Sequence, residues 1–151
     1  MLQKLVKHQN GLIPAIENVA DIRYIVVPIH GENHWSLVLI HISDTRDACV
    51  IYHMDSIKTF HDHSQIGALL NTWLDCGLGL NTETYIVSIG TNNFDCGVHV
   101  LYIIAKLIEV GKNGQLLEYL ENGGLPKEWS TAEIVLKYRL QVRDLACSSA
   151  W

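Results

Sequence analysis

Charge is scarce in this sequence, and so are the segments that would break a chain into pieces. Only 18% of residues are charged while 48% are apolar, which excludes a disordered or fibrous chain. Three prolines, no Pro/Gly/Ser linker, no internal repeat and no low-complexity tract leave nothing to divide residues 1–151 into two domains, so a single domain is expected. That length is enough to bury a core without metals or disulfides. Basic residues are outnumbered, 11 Lys and Arg against 16 Asp and Glu, and the net charge of −5 argues against nucleic acid as a partner. No apolar run approaches membrane-spanning length, and the opening MLQKLVKHQNGLIP lacks the hydrophobic centre of a signal peptide, so no membrane association is expected. The four cysteines, at 49, 76, 96 and 147, form no CxxC pair, which argues against both a zinc ribbon and a disulfide framework. A reducing compartment, cytoplasmic or nuclear, follows as the expectation.

What is present is a succession of short apolar segments. RYIVVPIH (23–30), WSLVLIHI (35–42) and CVIYHM (49–54) are rich in β-branched residues and read as strands. From Ser64 to about Cys76, Ile66, Leu69, Leu70, Trp73 and Leu74 follow a helical stripe, and Gly77 is the expected stop. TYIVSI (84–89) reads as a further strand. Residues 97–110 are almost wholly apolar, as in a helix buried on most of its surface and ending at Gly111. Two more helices are expected near 114–122 and 131–146, the second with Ile134, Leu136 and Leu140 as its core stripe. The sum is an α+β domain with a small sheet and a central helix.

Cys96 stands at the start of that central helix, between Asp95 and Gly97. Unpaired amides and the positive helix end stabilise an anion there, so a thiol at this position ionises more readily than a free one. Gly97 permits close backbone approach, and nearby amides can face a developing oxyanion. A nucleophile needs a base, and eight histidines compete for that role. The polar run Ser43–Asp47 reads as the tip of an antiparallel hairpin; centred between Asp44 and Thr45, it sets His34 opposite Asp55 to within one residue. Such a pair supplies a base with an orienting carboxylate. His99, three residues after Cys96, is the rival base, but the helix terminus disfavours an imidazolium there, and a satisfied core histidine is the simpler reading. His61 and His63 in FHDH have a spacing compatible with metal ligation, with His53 and Asp55 nearby in sequence. No second cluster completes a site, so an exposed polar loop without metal or other cofactor is expected. His30 and His41 form no distinct constellation.

VPIHGENHWSLVLI (27–40), HMDS (53–56) and NNFDCGVHVL (92–101), in that order, resemble the Ulp/SENP family of ubiquitin-like-protein cysteine proteases and its bacterial-effector relatives. The resemblance covers roughly residues 24–105. It implies a papain-like cysteine protease core with a small mixed sheet packed with helices and the catalytic cysteine at the N-terminus of a central helix. Carried over by motif, it implies Cys96 as nucleophile, His34 as general base, Asp55 as its orienting residue and Trp35 as a wall of the channel for a modifier's Gly-Gly tail. The implied activity is cleavage after the C-terminal glycine of ubiquitin or a ubiquitin-like modifier such as SUMO or NEDD8, with the modifier and its conjugates as partners. The effector relatives add delivery into a host cell to the localisations that the resemblance covers.

Two departures from the family pattern stand out. The family's oxyanion Gln, six positions before the cysteine, is replaced by Gly90, which leaves Asn92, Asn93 or main-chain amides as substitute donors. Only 33 residues precede His34, so the N-terminal part of the family fold is expected to be shortened or absent. These departures motivate an alternative, a weak or inactive member that binds a modifier. A protein acetyltransferase of the related effector type is a third reading, against which Asp55 and the Asp-Cys-Gly motif count.

Overall fold

The computed structural model describes residues 22–57, 60–78, 81–88, 95–122, 125–126, 129 and 131–148. Its elements, in chain order, are β1 (Tyr24–Gly31), β2 (His34–Ile42), β3 (Ala48–Asp55), α1 (His63–Leu78), β4 (Asn81–Ser88), α2 (Cys96–Lys112), α3 (Leu116–Glu121) and α4 (Ala132–Ser148). The strands form one sheet in the order β1-β2-β3-β4. β1, β2 and β3 are antiparallel to one another in turn, and β4 runs parallel to β3. A parallel neighbour needs a crossover, which α1 supplies. The α+β reading with a small mixed sheet and a central helix therefore holds.

β2 shows why its sequence lacks strand alternation. Leu37, Val38, Leu39 and Ile40 are all fully buried because both faces of the sheet are covered. On one face Val38, Ile40, Ile42, Cys49 and Ile51 pack with Ile66, Leu70 and Leu74 of α1. On the other, Leu37, Leu39 and Met54 pack with Val100, Ile103 and Leu107 of α2 and with Leu116 and Leu120 of α3. The sheet is thus a middle layer, and its strand ends open between two helical layers.

Several expected boundaries move, each for a local reason. The β2–β3 tip is longer than a centre between Asp44 and Thr45 requires. Ser43 N–H donates to Ala48 O, Arg46 N–H donates to Ser43 O, and Arg46 takes a left-handed φ of 59°. Ile42 consequently pairs with Cys49 and Leu37 with Met54, which slides β3 by two residues against the expected register. α2 continues through Gly111 to Lys112; the left-handed residue is Gly114, with φ 71°, and Gln115 N–H closes onto Val110 O. In α4 the core stripe is not Ile134, Leu136 and Leu140: Leu136 and Leu140 are 53% and 43% exposed. Val135, fully buried, and Tyr138, whose ring meets Tyr102 of α2 edge-on at 5.3 Å, carry the packing instead. α4 covers another helix rather than the sheet, so a narrower stripe suffices.

Candidate active site

Each candidate residue owes its position to an element end. Glu32 and Asn33, both with left-handed φ (51° and 62°), make the tight turn that pairs Gly31 with His34 and starts β2. Asp55 is the last residue of β3 and Cys96 the first of α2. The start of an antiparallel strand lies beside the end of its neighbour, so His34 and Asp55 meet at one edge of the sheet.

The two-residue slide leaves the pair intact because side chains alternate with period two. Continuing the observed register sets Asp55 level with Ser36 rather than His34, and His34 becomes its diagonal neighbour on the same face. A diagonal separation is within reach of an imidazole. His34 Nε2–H donates to Asp55 Oδ1 at 2.6 Å, with both residues 2% exposed. Ile57 N–H donates to the same oxygen at 2.9 Å, and His61 N–H donates to Oδ2 at 3.4 Å. Main-chain amides of the segment after β3 thus hold the carboxylate while His34 takes its remaining direction. Phe60 lies against the His34 ring, with centroids 4.4 Å apart, and restricts its rotation.

Cys96 is buried at the α2 terminus, and its neighbour touches the His34 strand. A Cβ placed on Gly97 would sit 3.5 Å from Trp35 Cδ1, so the indole rests on the first turn of α2. Trp35 also meets His30 across the β1–β2 pair at 4.4 Å and remains 40% exposed. Asp95, the residue before the helix, makes no side-chain cap and pairs instead with Arg139 of α4. The first-turn amides are therefore not taken up by its carboxylate. Asn92 and Asn93, and Gly90 with them, lie outside the described residues.

The histidines depart furthest from expectation. His61 is half-buried rather than part of an exposed polar loop, and His53, on β3 as expected, is fully buried. Ser36 Oγ lies 2.8 Å from His61 Nδ1 and 3.0 Å from His53 Nε2, and His53 Nδ1 lies 2.5 Å from His63 Nδ1. Burial, reinforced by the neighbouring His63, pushes His53 down to about 4, and burial lowers His61 below its ordinary value as well. Both are neutral near pH 7. The ligand-capable atoms of His34, Asp55 and His61 lie within 4.8 Å of one another, a donor set of two imidazoles and a carboxylate that could hold a divalent cation. These atoms already serve one another and Ser36. Asp62, between the two histidines, caps α1 by accepting from Ser64 N–H at 2.9 Å. His99 is buried as expected but not satisfied: neither ring nitrogen has a hydrogen-bond partner among the described residues.

Comparison with known proteins bears on these motifs directly. The C-terminal catalytic domain of the Ulp1 protease family matches residues 2–75, which include the His34 and Asp55 motifs. Ubiquitin-like-specific protease 1D of Arabidopsis thaliana is 27% identical over 146 residues, covering 80% of this chain and 25% of the relative. Over this stretch the chain is similar to the Ulp1 protease family. Its sequence spans about a quarter of the length of the curated relatives it matches. Two solved structures share the fold. The Xanthomonas campestris effector XopD, solved bound to ubiquitin, superposes with a TM-score of 0.58 at 24% identity, covering 89% of this chain and 69% of that one. The Rickettsia bellii effector RickCE gives 0.56 at 20% identity, covering 94% and 53%.

Ser36, His53, Phe60 and His61 join the site without having been singled out for it. The one usable signal was the density of histidines in HMDS and FHDH, whose common destination the sequence does not reveal.

Proposed function

We propose that this chain is a thiol protease or isopeptidase that cleaves after the C-terminal glycine of ubiquitin or a ubiquitin-like modifier. The observation that carries this reading is the buried 2.6 Å hydrogen bond from His34 to Asp55, at the end of the sheet where Trp35 packs on the first turn of the helix that Cys96 begins. With Nε2 committed to Asp55, His34 presents Nδ1 to the thiol. His34 takes the Cys96 proton, the thiolate adds to the glycyl carbonyl, and the proton passes to the departing amine as the carbon–nitrogen bond breaks. Water then adds to the thioester, with His34 again as base, and releases the glycine carboxylate and the thiol. Main-chain amides of the first turn of α2 are the backbone donors to the oxyanion in this scheme, with Asn92 and Asn93 as side-chain candidates. Trp35, half-open to solvent, walls the glycine channel; only residues without side chains pass such a wall.

Modifier probes ending in an electrophilic glycine, built on ubiquitin, SUMO and NEDD8, test the reading and select among modifiers. Labelling at Cys96 by at least one of them, lost in Cys96→Ala, is the expected result. Binding of a modifier without any labelling would replace it with the binding-module alternative, and labelling at another cysteine would remove Cys96 from its role.

A further inference from the structure

The row of polar side chains behind Asp55 has a direction that one atom determines. His61 Nε2 lies 3.4 Å from Gly31 O, which can only accept, so Nε2 carries the proton and Nδ1 is bare. Bare Nδ1 accepts from the Ser36 hydroxyl at 2.8 Å. Ser36 has then used its single proton, and its oxygen accepts from His53 Nε2–H at 3.0 Å. His53 Nδ1 is bare in turn and accepts from His63 Nδ1–H. Reversing the row would set His61 Nε2 lone pair against a carbonyl oxygen, two acceptors facing across a half-buried contact. The groups facing the row are His34 of β2, Asp55 of β3, Glu32 of the β1–β2 turn and His63 at the start of α1. None of them supplies a competing donor to His61 Nδ1, because His34 is committed to Asp55.

The row ends where the carboxylate is held. His61 gives its main-chain N–H to Asp55 Oδ2, its ring Nδ1 is 3.8 Å from the same oxygen, and its ring centroid is 5.1 Å from that of His34. Its side chain meanwhile ties the segment after β3 to Gly31 and Ser36, on the two strands beyond it. We propose that His61 is a positioning residue for Asp55, held in place by a one-way chain from His63 through His53 and Ser36 to the Gly31 carbonyl. This rests on the proposed role of Asp55 in orienting His34. Loss of the chain frees the segment, and Asp55 no longer fixes the imidazole direction.

Two measurements on the intact protein test this. Nitrogen-15 NMR of histidine-labelled protein at pH 7 should show His53 and His61 as Nε2–H tautomers and His63 as Nδ1–H; the opposite tautomer at His53 or His61 overturns the chain whether or not the protein is active. The second compares His61→Ala, His61→Gln and Ser36→Ala by the solvent exchange of the His34 Nε2 proton and by turnover of a modifier substrate. An amide at 61 retains a donor for Gly31 and an acceptor for Ser36, so His61→Gln should keep parental exchange. His61→Ala and Ser36→Ala should accelerate it and lower kcat about tenfold to a hundredfold with KM little changed. Equal exchange in His61→Ala and parent, or exchange in His61→Gln as fast as in His61→Ala, refutes the positioning role. Should the parent turn over no modifier, the exchange comparison still decides, because it reads Asp55 placement without catalysis.

Discussion

Mild acid should destabilise this protein through His53, and the size of the effect follows from its surroundings. His53 is fully buried and is pushed down to about 4 by that burial and by His63, against an ordinary value of 6.5. Its folded pKa lies below its unfolded one, so as pH falls below about 6.5 the unfolded chain takes up the proton first. Stability is therefore fully present above that pH and drains until about pH 4, where the folded protein binds the proton too. Over the whole window the linkage is about 3 kcal/mol, and between pH 7 and pH 5 about 2 kcal/mol. Such a loss is a large share of the ~5–15 kcal/mol available to a domain. Urea unfolding at pH 7, 6 and 5 should show it in the parent and show it reduced by about 2 kcal/mol in His53→Gln, which lacks the titrating ring. His61 and His99, also lowered by burial, remain in both proteins and cancel in the comparison. Identical pH dependence in the two proteins would mean that His53 does not fold as a buried neutral imidazole, and the chain from His63 to Gly31 would fall with it.

Other outcomes follow from the same geometry. Gly97→Ala should fold and gain up to about 1 kcal/mol in helix stability, since its Cβ meets Trp35 at an ordinary contact distance of 3.5 Å, whereas Gly97→Leu should displace the indole and slow probe labelling of Cys96. Thermal melts and labelling rates read these two effects separately. Ile103→Ala, at a fully buried position between α2 and the sheet, should cost about 2–5 kcal/mol, while Leu136→Ala, 53% exposed on α4, should change stability by less than about 0.5 kcal/mol; a large loss at Leu136 would return the α4 core stripe to its sequence-based register. His34→Ala should slow alkylation of Cys96 sharply, and an unchanged rate with a reduced one in His99→Ala would transfer the base role. Of Asn92→Ala and Asn93→Ala, one should lower turnover about 10²–10³-fold with little change in KM if a side chain donates to the oxyanion.

The sequence by itself determined the elements and the polarity of their ends. Apolar runs of strand length and a 3.6-residue stripe in 64–76 are local signals, and they located three strands and the first helix to within one or two residues. β4 was found less completely, from Thr84 rather than Asn81, because Asn81, Thr82 and Glu83 carry no apolar pattern. A cysteine followed by glycine where a polar stretch meets an apolar run is equally local, which is why Cys96 could be placed at a helix start. That His34 and Asp55 share a face was legible too, since face depends only on whether a register is odd or even, and a slide of two leaves it unchanged. The register itself was not legible: the hydrogen bonds of Ser43, Arg46 and Ala48 at the hairpin tip set it, and main-chain turns of that kind leave little mark on composition. Nor was the use of the histidines. His53, His61 and His63 come from a strand, a connecting segment and a helix, and Ser36 from another strand, so their meeting depends on how β2, β3 and α1 stack. Burial then decides their charge, and only the folded chain supplies the carbonyl at Gly31 that gives their hydrogen bonds a direction.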